Sequence, residues 1–94
     1  MNKRGRHVET REYIGMIRRS LRALSRRVGE QADIDLLPDM LALQKEYDAA
    51  VVAAVAGLRQ DFSWTEIAAR AGITRQSAHE KWAKKVDALE NANA

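Results

Sequence analysis

The chain has no cysteine among its 94 residues. That excludes disulfides and any cysteine-based metal site. Its two histidines, His7 and His79, are too isolated along the chain to form a metal site. No Ser/His/Asp constellation, glycine-rich phosphate loop or metal-ligand spacing is present. We therefore expect no catalytic residue, no metal, no cofactor and no small-molecule ligand. No run approaches the ~20 apolar residues of a membrane span. Lys3, Arg4 and Arg6 make the start basic, but no apolar run follows them as it would in a secretory signal. The expected setting is the cytoplasm, with no membrane partner.

What the chain does have is charge, unevenly placed. The net charge is only +3. Residues 1–29 carry nine Lys and Arg against two Glu, a net +7. Residues 30–66 carry two against eight acidic groups, a net −6, and residues 67–94 return to +2. Two basic ends around an acidic middle fit a polyanion met by both ends. The alternative is that the basic first helix offsets the acidic second one within the fold. A chain of this length makes one small domain, with or without an arm, and holds only a modest core. Self-association is then a natural source of further buried surface.

Residues 1–7 show no periodicity and read as a flexible basic arm that can follow phosphates or enter a minor groove, or as a frayed terminus. Residues 8–28 read as an amphipathic helix. Ile14, Ile17, Leu21, Leu24 and Val28 recur at alternating three- and four-residue steps, the spacing of a coiled-coil seam. Arg11, Arg18, Arg22 and Arg26 fall on another face. They can contact phosphates or pair with acidic groups of a neighbouring helix. Membrane-surface binding fits less well, because the apolar face lacks Trp and Phe. Gly29 is the expected stop. Asp33 or Asp35 caps the next helix, and Pro38, the only proline, suits its first turn. That helix is expected to run over 36–60. With a short connection, the two should form an antiparallel hairpin over 8–60, the expected dimerisation element.

Residues 61–82 are the most structured stretch. Ser63 and Glu66 make a capping box, with Phe62 and Ile67 in hydrophobic-staple positions around it. This predicts a short helix over 64–71, ended by a left-handed Gly72. Thr74 caps a second helix that turns inward at Ala78 and Trp82. Ala68 must be small, because the second helix crosses it. Ile73 plugs the angle between the two. The apolar stripe continues through Val86 and Leu89, so the second helix should reach about Leu89. Residues 91–94 look frayed.

This stretch resembles the helix-turn-helix of bacterial DNA-binding proteins, through Ile67, Ala68, Gly72, Ile73, Ala78 and Trp82. The run Gly72-Ile73-Thr74-Arg75-Gln76-Ser77-Ala78 is similar to the turn and recognition-helix start of sigma-factor-like helix-turn-helices and small regulators of high-GC bacteria and their phages. The resemblance covers about a quarter of the chain. Ala71 stands where a larger apolar residue is commoner and Lys81 where an aliphatic is usual, which leaves Trp82 to anchor the helix.

The resemblance implies a sequence-specific, double-stranded DNA-binding protein, a nucleoid-associated transcriptional regulator acting as a homodimer. The implied base-facing residues are Thr74, Arg75, Gln76, Ser77, His79 and Glu80. Arg75 suits guanine O6/N7, Gln76 adenine N6/N7, and Glu80 can accept from cytosine. Phosphate contacts are expected from Thr65, Arg70, Lys81, Lys84 and Lys85, and from the amide end of the third helix at Ser63 and Trp64. Trp64 can instead fill the core, as aromatics at helical spacing mostly do. Arg18, Arg22 and Arg26 would add phosphate contacts from the first helix. Two other readings stand beside this one. One is an architectural DNA-binding protein with little sequence preference. The other is a helical protein-interaction module of antitoxin or adaptor type. The expected fold is all-α: a long antiparallel hairpin over 8–60, then a helix-turn-helix unit over 61–90.

Overall fold

The computed structural model describes residues 3–93, and side chains from Gly5 onward. The fold is all-α, with no strand among the described residues. Four α-helices follow one another: α1 (Lys3–Gln31), α2 (Leu37–Leu58), α3 (Trp64–Ala71) and α4 (Arg75–Asn93), with a 3-10 turn at Ile34–Leu36 before α2. No described helix is long and apolar enough to cross a membrane. The chain divides into two compact units at Met40/Leu41.

The first unit is dominated by α1. It begins at Lys3, so residues 3–7 of the expected arm are helical, while residues 1–2 lie outside the described residues. The Thr10 hydroxyl donates to the Arg6 carbonyl at 2.8 Å within this first part. At the other end α1 passes through Gly29, the expected stop, and ends at Gln31. Ala32 takes the left-handed conformation instead, at φ 52°, where its Cβ crowds the backbone. Asp33 caps the 3-10 turn by accepting from the Asp35 N–H at 3.0 Å. The α1 seam is open. Ile14 keeps 49%, Ile17 43% and Leu21 49% of their surface exposed, while Leu24 and Val28 are half-buried.

The second unit holds the core. Val52 and Val55 of α2, Trp64, Ile67 and Ala68 of α3, and Ala78, Trp82, Ala83 and Val86 of α4 form one buried apolar cluster. Val51 and Ala56 pack partly against it. The small Ala68 of α3 and Ala78 of α4 matter here because α3 and α4 approach each other closely. The last turns of α2 hand over to α3 through tight hydrogen bonds, Arg59 N–H to Val55 O at 2.9 Å and Phe62 N–H to Leu58 O at 2.9 Å.

α4 runs to Asn93, past the expected Leu89, so the tail expected to fray is helical up to that residue. Leu89 itself is 37% exposed, so the buried stripe ends at Val86. Ala83 joins the core where a strict three-and-four spacing from Ala78 and Trp82 would leave it outside.

Candidate nucleic-acid interface

The pair α3–α4 is built by local hydrogen bonds before any packing. Ser63 Oγ accepts from the Glu66 N–H at 3.1 Å, and Glu66 Oε1 accepts from the Ser63 N–H at 3.2 Å. This is a complete capping box, and it starts α3 at Trp64 as its spacing predicts. At the other end Gly72 has φ 74°. The Ile73 N–H reaches Ala68 O at 3.1 Å and the Gly72 N–H reaches Ala69 O at 3.3 Å. These two bonds are the Schellman pattern, which needs a left-handed residue at the position of Gly72. Thr74 Oγ1 then accepts from the Ser77 N–H at 3.0 Å, which starts α4 at Arg75.

The two helices pack through their smallest side chains. Ala68 of α3 is 2% exposed and Ala78 of α4 is fully buried, and both belong to the core that α3 and α4 share. Ile73 is 37% exposed; the expected plug contributes only part of its surface. Trp82 is buried and anchors α4, and the exposed Lys81 lays its ammonium 5.6 Å from the centroid of the Trp82 ring.

Trp64 is a core residue at 9% exposure. Its ring meets His79 of α4 with centroids 5.6 Å apart and planes at 75°. The half-buried Arg59, in the turn just after α2, places its guanidinium carbon 4.9 Å from the Trp64 centroid. Arg59 also donates to the Phe62 carbonyl at 3.0 Å. The side chain of Trp64 is therefore enclosed rather than presented, which leaves only its backbone for the expected phosphate role. Nothing in the spacing of the sequence marks Arg59 as its partner.

Two further expected contact groups are already engaged. The Ser63 hydroxyl donates to Glu66 Oε1 at 3.0 Å, so its one proton is spent in the cap. The Glu66 carboxylate also occupies the start of α3, where an anion would sit. The Thr74 hydroxyl donates to Ser77 Oγ at 2.9 Å. By contrast α4 has no acidic residue in its first turn, so its partly positive amide end carries no carboxylate of its own.

Arg75, Gln76, His79 and Glu80 line a single open depression at the start of α4. Four of the six side chains expected to face bases thus share one surface, with Thr74 and Ser77 holding the cap beside it. Gln76 Nε2 donates to Glu80 Oε1 at 3.1 Å across one helical turn. Lys81 and Lys85 lie elsewhere, in a groove between α4 and α2 lined also by Gln44, Tyr47, Asp48 and Trp82. Lys84, Thr65 and Arg70 are exposed. Arg18, Arg22 and Arg26 are exposed on α1, in the first unit. Among the described residues no group of three or more His, Asp or Glu is placed to hold a metal ion. No protein-family model, curated protein or solved structure matches the chain.

Proposed function

We propose that the chain is a sequence-specific double-stranded DNA-binding protein, a transcriptional regulator of a bacterium or phage, acting through α3 and α4 as a dimer. The observation that carries this reading is the combination at α3–α4. The short α3 and the longer α4, each with its own N-terminal cap, pack against each other with Ala68 and Ala78 2% and 0% exposed. The exposed start of the second helix gathers Arg75, Gln76, His79 and Glu80 on one surface. A scaffold of that kind holds polar side chains rigidly at the end of a helix that can enter a major groove. Arg75 supplies paired donors for guanine, and Gln76 a donor and an acceptor for adenine. The exposed Lys84, Thr65 and Arg70 serve as phosphate contacts, which orient the protein on the duplex without reading sequence.

Dimerisation belongs to the same proposal. One helix-turn-helix covers little DNA, and a two-fold pair reads two half-sites about one helical turn apart. The seam on α1, with Ile14, Ile17 and Leu21 each 43–49% exposed, offers the surface for a second copy.

Selection from randomised duplexes tests the reading. An enriched motif is expected, and Arg75→Ala with Gln76→Ala should weaken the selected site far more than random DNA. Equal loss on both would remove the base-reading role. A second reading, an architectural protein that coats DNA, is favoured by the exposed arginines of α1. It predicts steep salt dependence with no enriched motif. Failure to shift any duplex at low salt would favour a protein-interaction module instead.

A further inference from the structure

The hydrogen bond between Gln76 and Glu80 has consequences for what the α4 surface can accept. A primary amide has two chemically different ends and can present either one. A carboxylate is an acceptor only. Because Glu80 Oε1 accepts a hydrogen bond from Gln76 Nε2 at 3.1 Å, the amide nitrogen of Gln76 faces Glu80 and its carbonyl oxygen faces away. Turning the amide over would set oxygen against oxygen. The pair therefore leaves three groups for a ligand: the Gln76 carbonyl oxygen, the second N–H of the same amide, and the free oxygen of Glu80.

We propose that Gln76 and Glu80 act as one reading unit, selective for base edges that present an amino group, with adenine opposite Gln76 and guanine excluded from that position. This rests on the DNA-binding reading above. Adenine offers an N6 amino donor beside the N7 acceptor, which matches an amide of fixed orientation. Guanine offers O6 and N7, two acceptors, and its O6 would meet the Gln76 oxygen. The free Glu80 oxygen extends the same preference to the next base pair, where cytosine N4 is the amino donor that fits it. Glu80 also puts a negative charge on an otherwise cationic or neutral surface shared with Arg75 and His79. Its desolvation and its repulsion of acceptor edges are offset only where an amino group meets it, so it acts against wrong sequences as much as for the right one.

The test uses the full chain and randomised duplexes, comparing wild type, Glu80→Gln, Gln76→Ala and the double variant, with helix content checked by circular dichroism. Glu80→Gln keeps the shape but frees the amide to turn. At one position of the selected motif, adenine over guanine preference should fall roughly tenfold, while binding to random duplex stays equal or tightens. Gln76→Ala should erase the preference at that same position. Glu80→Gln should then add nothing further there. An unchanged preference in Glu80→Gln overturns the coupling, as does a change confined to positions that Gln76→Ala leaves alone. If wild type selects a motif, the DNA-binding reading survives either result. If wild type enriches nothing, that reading and this one fall together.

Discussion

The His79 ring packs against the Trp64 ring at 75°, with centroids 5.6 Å apart. This contact joins the first residue of α3 to the second turn of α4. Arg59, in the turn just after α2, adds its guanidinium on the Trp64 ring at 4.9 Å. Two helices and the turn after α2 thus meet at one indole, next to the surface proposed to read bases. The orientation of that surface depends on a buried side chain that does not belong to it.

Trp64→Ala should cost roughly 3–5 kcal/mol, the usual loss for a buried Trp. In a unit this small such a loss is a large share of the total stability. His79→Ala should cost only about 1 kcal/mol, the worth of an aromatic pair beyond its buried area. Urea unfolding followed by circular dichroism separates the two. Equal effects would mean that the ring contact, not the core, carries the stability.

Ala78 is fully buried at the α3–α4 crossing, whereas Ala69 is exposed. Ala78→Leu should destabilise by at least about 1–3 kcal/mol through overpacking. Ala69→Leu should stay within about 0.5 kcal/mol of wild type. The same unfolding measurement checks both, and a tolerated Ala78→Leu would contradict the close approach of the helices.

Gly72 and Ala32 both adopt left-handed backbone, at φ 74° and 52°. Gly72→Ala should cost about 1 kcal/mol, since a Cβ there strains the turn. Ala32→Gly should do the reverse and strengthen the end of α1 by about 0.5 kcal/mol, the relief of strain less the added freedom of the unfolded chain. Amide exchange around Gln31 is the local readout, and slower exchange is expected.

Ile17 and Leu21 lie on the open seam of α1, at 43% and 49% exposure. Ile17→Asp with Leu21→Asp should reduce the solution mass from dimer to monomer. Binding to a paired half-site should weaken at least tenfold, with α3–α4 still folded. Sedimentation and a gel shift measure the two effects. A wild-type monomer would overturn the dimer altogether, and a mutant dimer would move its surface off α1.

Arg18, Arg22 and Arg26 offer exposed positive charge on α1. Replacing all three by Gln should lower the slope of log affinity against log salt by about 2–3, at about 0.9 per lost phosphate contact. The selected motif should not change, because phosphate contacts carry no base information. An unchanged slope would take α1 off the DNA.

The bounds of α3 and the position of its turn were legible because their causes are local. Ser63 with Glu66, and Ala68 and Ala69 with Gly72 and Ile73, are partners within five residues of each other. The need for a small residue at Ala68, and the inward face of Ala78, were legible because two helices joined by so short a turn must pack there. The end of α1 was not: Gly29 has the right residue type, yet the helix passes it and turns at Ala32, where glycine would be the cheaper choice. The fate of Trp64 was legible only in part: its periodicity favoured the core, while its place at the start of α3 also suited a phosphate contact.

The sequence by itself determined that the chain is all-α, where its third helix begins and ends, and which residues cap it, because hydrogen bonds between near neighbours need no knowledge of the rest of the molecule. Only the tertiary structure decided which way the side chains face. It enclosed Trp64, set His79 and Arg59 against its ring and drew Ala83 into the core. Those outcomes depend on the angle at which α2, α3 and α4 meet, and that angle is settled by how their side chains fill a shared volume rather than by the spacing along any one of them.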